Sequence, residues 1–406
     1  MQIISPEEVG LASERLARID RHLESRYLDR KKIPGALTLV ARRGRVAHLS
    51  TLGMMDLERG RPMTRDTIFR IYSMSKPITS VALMTLYEEA RFQLDDPVHK
   101  FIPEWRELRV YETGNVPDFV TRPVERPMTI RDLLTHTSGL TYGFMQRTNV
   151  DRAYRRLGIG DRTGTLGGMI EKLAELPLEF SPGTAWNYSH STDVIGYLVE
   201  EISGKRLDHF LKERIFDPLG MTDTGFWVPP EKIDRFASNY SRSPDKTLRV
   251  EDDAQASAYS QIPTFFSGGG GLVSTAGDYL RFCRMLLEDG RLDGARILGR
   301  KTIELMTLNH LPGGRDIAAL NVGGGFSQVT YEGVGFGLGF SISTDLARAQ
   351  SIGSPGEYAW GGAASTAFWI DPSEELIVIF MTQFMPSATF NFRGQLKSII
   401  YPALVD

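Results

Sequence analysis

Phe69-Arg70-Ile71-Tyr72-Ser73-Met74-Ser75-Lys76-Pro77-Ile78-Thr79-Ser80-Val81-Ala82-Leu83-Met84 is the most informative stretch of the 406-residue chain. Its apolar run predicts a buried helix over 77–91, and Pro77 is tolerated only near a helix start. A Ser followed three residues later by Lys then places both side chains on one face of the first turn. Burial disfavours an ammonium, so the Lys76 pKa is expected to fall from about 10.4 towards neutrality. A neutral Lys76 can take the proton from Ser73 as that hydroxyl attacks a carbonyl. The helix N-terminus adds a positive dipole end where negative charge would develop. The competing reading is a helix cap followed by a surface lysine, since short motifs recur by chance. Ser243-Pro244-Asp245-Lys246 has the same spacing but lies in a polar loop without an apolar helix behind it, and reads as surface structure.

Two later stretches add chemistry. In Phe180-Ser181-Pro182-Gly183-Thr184-Ala185-Trp186-Asn187-Tyr188-Ser189-His190-Ser191, a Pro-Gly turn precedes a helix that starts near Asp193. A Tyr188 held beside Lys76 would be deprotonated cheaply by that cation and act as a base; alternatively it is a half-buried packing aromatic. Glu357-Tyr358-Ala359-Trp360-Gly361-Gly362-Ala363-Ala364-Ser365-Thr366-Ala367-Phe368 leads into a strand, and its two glycines permit close backbone approach. A backbone N–H there can join that of Ser73 in an oxyanion hole; otherwise it is an ordinary turn into an edge strand.

Composition sets the class. With 41% hydrophobic and 24% charged residues, 40 Gly and 21 Pro, a folded chain of this size hides about three quarters of its surface, which excludes disorder, collagen-like repeats and small disulfide scaffolds. The 47 basic and 50 acidic residues leave a formal net charge of −3 without long blocks of either sign, so nucleic acid is not an expected partner. Cys283, the single cysteine, lies in a helical pattern and reads as a core thiol; no Cys/His spacing suggests zinc. The N-terminus lacks the pattern of a secretory signal. The strongest apolar run, Leu376 to Met381, is strand-sized and too short to cross a bilayer. A cytoplasmic enzyme without membrane contact is expected; oligomeric state is not legible.

Helical periodicity covers 7–28, and a closing helix covers about 390–402. Ala36–Ala41 with Val46–Ser50, and Ser365–Asp371 with Leu376–Thr382, read as two hairpins. Helices are expected at 130–135, 167–176, 191–203, 206–214 and 277–289. Residues 142–165 and 240–263 read as long irregular surface loops or lids. Aromatics in 258–266 and 326–340 read either as an apolar cleft or as core. The simplest assembly is α+β. Residues 1–70 and 331–406 share one antiparallel sheet flanked by terminal helices, and 71–330 form an inserted, mostly helical domain with a ligand site in the cleft between them.

Ser73-x-x-Lys76, Tyr188-Ser189-His190 and Trp360-Gly361-Gly362 together resemble, in order and rough spacing, the motifs of the serine β-lactamase and penicillin-binding-protein superfamily. The likeness is greatest to class C β-lactamases and family VIII carboxylesterases. Leu133-Leu134-Thr135-His136-Thr137-Ser138-Gly139-Leu140 and the stretch from Gly268 to Asp278 support it, and it spans about 10–400. The resemblance implies a β-lactamase/transpeptidase-like fold, with Ser73 as nucleophile and Lys76 and Tyr188 sharing general-base and general-acid work. It also implies oxyanion donation from the N–H groups of Ser73 and Ala363, substrate contact along Trp360, Gly361 and Gly362, and no metal or organic cofactor. Two positions depart from the pattern. Trp360 stands where the superfamily usually has the lysine of Lys-Thr-Gly, and an indole cannot pair with a carboxylate, which disfavours anionic lactams relative to neutral esters. His190 replaces an amide residue and is either a substrate contact or a structural hydrogen-bonder.

The leading expectation is a carboxylesterase acting on small neutral esters. An acyltransferase shares its acylation half, and an apolar acceptor pocket near 142–165 would favour transfer. A β-lactamase or D-amino-acid peptidase, and a non-catalytic ligand sensor, are further alternatives. A Ser-His-Asp hydrolase through His136 or His190 lacks the expected Gly-x-Ser-x-Gly elbow.

Overall fold

The computed structural model describes residues 2–323 and 331–406. Both ends of the chain build one eight-stranded antiparallel sheet. Its strands are β1 (Gly35–Arg42), β2 (Arg45–Asp56), β3 (Arg61–Pro62), β4 (Val334–Phe336), β5 (Ser341–Ser343), β6 (Tyr358–Gly361), β7 (Ala367–Asp371) and β8 (Leu376–Met381), in the order β4-β5-β6-β7-β8-β1-β2-β3. The seam is β1 against β8, with Leu37 opposite Met381 and Arg42 opposite Leu376. Arg43 and Gly44 close the β1–β2 hairpin with φ of 51° and 71°, the left-handed pair a tight two-residue turn requires.

The central strands are apolar at nearly every position because both faces are covered. Leu37, Leu39, Ile377, Ile379, Phe368 and Ile370 point inward to a core continuous with the helical middle of the chain. The alternate residues Ala36, Val40, Val378, Phe380 and Trp369 pack on the other face against Leu16, Ile19 and Leu23 of the N-terminal region and Leu396 and Ile400 near the C-terminus.

Of the inner helices, α1 (Ser75–Glu88), α2 (Asn149–Leu157), α3 (Ser191–Ser203) and α4 (Ala276–Leu287) matter most for the site, and α5 (Phe392–Ile400) flanks it. Cys283 is a fully buried thiol of α4. No helix among the described residues is long and apolar enough to cross a membrane.

Several local expectations are corrected. The N-terminal helix is split into Pro6–Val9, Ser13–Leu16, Arg18–Leu23 and Glu24–Leu28, the first piece ending where Gly10 turns left-handed at φ 69°. Residues 142–165 are not wholly irregular: α2 forms there, started by a capping box in which Thr148 accepts the N–H of Asp151. Residues 240–263 include a hairpin pairing Asn239–Arg242 with Leu248–Asp252, and the second Ser-x-x-Lys sits in its turn, with the Lys246 N–H bonded to the Ser243 carbonyl at 2.9 Å. A further hairpin, Arg109–Gly114 with Phe119–Pro123, lies within the region expected to be mostly helical. Among the aromatics, Tyr259 and Phe265 line the cleft, whereas Phe336 and Phe340 belong to the core; the expectation for 326–330 falls outside the described residues.

Candidate active site

A short 3-10 turn, Tyr72–Met74, runs directly into α1 and presents Ser73 at its mouth. Tyr72 holds φ at 42°, a left-handed conformation that a non-glycine residue adopts only under the constraint of its surroundings. From Ser75 to Leu86 every residue of the helix is buried, so Lys76 is carried into the core with 1% of its surface exposed. Lys76 Nζ donates to Ser73 Oγ at 3.2 Å and to the Gly269 carbonyl at 2.6 Å. The rings of Tyr188 and Tyr142 lie 4.5 and 5.4 Å from it. Burial lowers its pKa to about 7, against a smaller opposing pull from Asp193, which is the direction expected from the sequence.

Tyr188 lies beside both groups. Its hydroxyl is hydrogen bonded to Ser73 and accepts the indole N–H of Trp360 at 3.4 Å. Its pKa, however, moves upward, because desolvation outweighs those hydrogen bonds. The cheap deprotonation expected of Tyr188 does not follow from these electrostatics: burial draws Lys76 down to about 7 and pushes the Tyr188 hydroxyl up, so Tyr188 keeps its proton.

The carbonyl that holds Lys76 belongs to the glycine-rich turn at 268–271, wedged between α1 and α3. A Cβ on Gly268 would lie 2.7 Å from the Thr192 carbonyl and 2.8 Å from Thr79 Cγ2, so only glycine fits this approach. Asp193, on the first turn of α3, anchors the turn. Its carboxylate accepts the Gly269 N–H at 3.0 Å, the Ser267 hydroxyl at 2.5 Å and His190 Nδ1–H at 2.8 Å. Burial opposes the Asp193 charge, but His190, Ser267 and Lys76 hold its pKa below the usual carboxylate range. Sequence reasoning missed Asp193; the signal was the i,i+3 spacing of His190 and Asp193, which places an imidazole and a carboxylate on one helix face.

The third element closes from the sheet. Trp360, 3% exposed, lies in β6, which Gly361 ends, and Gly361, Gly362 and Ala363 line the same cleft as Ser73. A Cβ at Gly362 would sit 2.5 Å from the Ile71 carbonyl, so this glycine lets the strand end press on the turn that carries Ser73, and Ala363 lines the same cleft. Trp360 does not leave this wall without positive charge: an added Cβ on Gly361 would be 2.7 Å from Arg393 Nη2 of α5, a residue the sequence reading overlooked.

The two histidines considered for a Ser-His-Asp relay are engaged elsewhere. His136 is buried, bonds Ser189 Oγ at 3.2 Å and is held neutral by burial and the nearby Lys76. His190 bonds Asp193 and meets the Tyr142 ring edge-on, with centroids 4.3 Å apart. The described residues contain no cluster able to hold a metal ion. The cleft over Ser73 measures about 940 Å³ and is bordered by Tyr142, Phe144, Met145, Tyr259 and Phe265 as well as the residues above.

A serine and a buried lysine one helical turn apart, a tyrosine against both, and a strand edge facing them define a serine hydrolase of the penicillin-recognising kind. The comparisons agree: a model of the Beta-lactamase family matches residues 21–397, and the chain belongs to that family. An uncharacterized protein of Mycobacterium tuberculosis is 38% identical over 362 residues, 88% of each chain. Esterase EstB of Burkholderia gladioli is 31% identical over 395 residues, 91% of each chain. Among solved structures, EstCE1, a hydrolase with promiscuous acyltransferase activity, superposes with a TM-score of 0.80 at 26% identity, covering 96% of this chain and 99% of that one. The chain is a serine hydrolase with the β-lactamase/transpeptidase fold.

Proposed function

We propose that the protein is a carboxylesterase of the family VIII type, with residues 71–330 as the lobe that covers the catalytic sheet edge. The observation that carries this reading is the Lys76–Ser73 contact at 3.2 Å with a lysine whose pKa is about 7. Ser73 Oγ attacks the ester carbonyl as its proton passes to neutral Lys76 Nζ. The N–H groups of Ser73 and Ala363 receive the developing oxyanion. Tyr188, kept protonated by burial, gives its proton to the leaving alkoxide and regains one from Lys76. Water then cleaves the acyl-enzyme by the reverse relay. Trp360 favours esters uncharged beside this wall over lactams whose carboxylate needs a strand cation. Similarity to an esterase from Burkholderia gladioli supports the same substrate class.

Transfer to an alcohol is a second reading. Phe144, 60% exposed at the cleft mouth, with Met145 and Tyr142 behind it, offers the apolar acceptor ground that a transferase needs.

p-Nitrophenyl acetate, butyrate and octanoate, assayed beside nitrocefin, test the proposal. Expected is ester turnover that disappears in Ser73→Ala, with little or no nitrocefin hydrolysis. Fast nitrocefin turnover would overturn the substrate argument. Ester turnover retained by Ser73→Ala would overturn the mechanism. Loss of water-dependent product in favour of a new ester when butanol is added would favour transfer.

A further inference from the structure

Charge is distributed unevenly around the cleft. Asp193 is the one carboxylate among its described lining residues, and it is consumed by His190, Ser267 and the Gly269 N–H. Three arginines, Arg147, Arg162 and Arg393, border the same space. Arg147 is neutralised by Glu179 at 2.6 Å. Arg162 and Arg393 have no carboxylate partner among the described residues, and Arg393 Nε is buried without a hydrogen-bond partner there. An apolar cleft carrying two unneutralised guanidinium groups focuses a positive potential on whatever enters it.

Of the two, Arg162 is the better organised. It is half-buried, its guanidinium lies 3.9 Å from the centroid of the Tyr259 ring, and its carbonyl accepts the Thr264 hydroxyl at 3.3 Å. Tyr259 is itself fixed by a hydrogen bond to the Gly270 carbonyl and meets the ring of Tyr72, the residue before the nucleophile, edge-on at 6.3 Å. The contact with the Tyr259 ring and a hydrogen bond to that tyrosine restrict the guanidinium, so part of the cost of ordering the side chain is met before a ligand arrives.

From this arrangement, and resting on the esterase reading, we infer that the physiological substrate is an ester that also carries a carboxylate away from its scissile bond, and that Arg162 binds that carboxylate. Trp360 itself offers no cation on the strand; the acid is assigned to Arg162, which stands two aromatic rings from Ser73 by way of Tyr259 and Tyr72. Arg162 is thus a specificity residue and takes no part in the bond changes.

The test compares kcat/KM for matched acid and neutral pairs: mono-p-nitrophenyl glutarate against p-nitrophenyl butyrate, with the acid in the acyl group, and 4-acetoxybenzoate against its methyl ester, with the acid in the leaving group. Wild type should prefer the acid in one pair. Arg162→Ala should lower that acid-to-neutral ratio about 10- to 100-fold, and Arg162→Lys, which keeps the charge but not the planar fork, by less. The wild-type ratio should also fall as ionic strength rises from about 0.01 to about 1 M, a readout that needs no variant to fold. Equal ratios in wild type and Arg162→Ala would overturn the assignment, as would a wild type that prefers neither acid. Absence of any Ser73-dependent turnover of the neutral esters would instead overturn the esterase reading, and this inference with it.

Discussion

Lys76→Met is expected to lower kcat/KM for ester hydrolysis by at least about 10³-fold and yet to unfold at a higher temperature than wild type. The lost activity follows from geometry, because among the described residues only Lys76 and Tyr188 reach Ser73 Oγ, and Tyr188 holds its own proton. The gain in stability follows from burial. Lys76 has a pKa near 10.5 in the unfolded chain and about 7 in the folded one, so unfolding at pH 7 releases a penalty of up to about 5 kcal/mol. Methionine fills the same channel without a charge, at the cost of about 1–3 kcal/mol for the Gly269 carbonyl left without its donor. The net gain is up to about 2–4 kcal/mol, a shift of several degrees. The sign is checkable by pH. Between pH 7 and 10.5 the unfolded lysine binds a proton that the folded one does not, so wild-type stability rises across this window while that of Lys76→Met lacks this contribution. The difference between them should be greatest at or below pH 7 and fade towards pH 10.5 in thermal melts. A destabilised Lys76→Met at pH 7 would show that the lysine is held by its hydrogen bonds more strongly than burial opposes it.

Asp193→Asn should cost about 10- to 100-fold in kcat and move the acid limb of the pH–rate profile. The carboxylate accepts from three donors; an asparagine accepts at one end only and turns its amide towards a donor, so the turn that presents the Gly269 carbonyl to Lys76 loses its anchor. Asp193 also raises the Lys76 pKa, and removing its charge lowers that pKa further. The rise of kcat/KM with pH, centred near 7 in wild type, should therefore shift to lower pH. His136, Tyr142 and Tyr188 also feel the Asp193 charge, but burial dominates each of them and keeps His136 neutral and both tyrosines protonated without it, while His190 loses its carboxylate partner. A slower variant with an unmoved acid limb would leave Asp193 a purely structural residue.

What was legible follows from how local each signal is. Ser73 and Lys76 lie one turn apart, and the burial of α1 is written in its own apolar run, so spacing and pKa direction both come from one short stretch. The two hairpins at the chain ends are likewise local. Their merging into one sheet follows from strands with no polar face, which need cover on both sides. Asp193 was not legible because two of its three partners lie 74 and 76 residues away. Arg162 and Arg393 were missed for the same reason: a lone arginine in a loop or helix carries no periodicity, and its meaning depends on which carboxylates fold elsewhere. Two misses were avoidable. Thr148 and Asp151 spell a capping box ahead of α2, and Gly114-Asn115-Val116-Pro117 marks the turn of the hairpin between Arg109 and Pro123. Tyr188 is of another kind. The sequence places a tyrosine near a lysine, but how far desolvation raises the hydroxyl depends on the depth of the pocket.

Labelling with a fluorophosphonate, followed by peptide mapping across a pH series, tests the catalytic core most directly. One adduct is expected, on the peptide containing Ser73, absent from Ser73→Ala, with a labelling rate that rises through about pH 7 as Lys76 loses its proton. An adduct on another residue, or labelling that persists in Ser73→Ala, would contradict it.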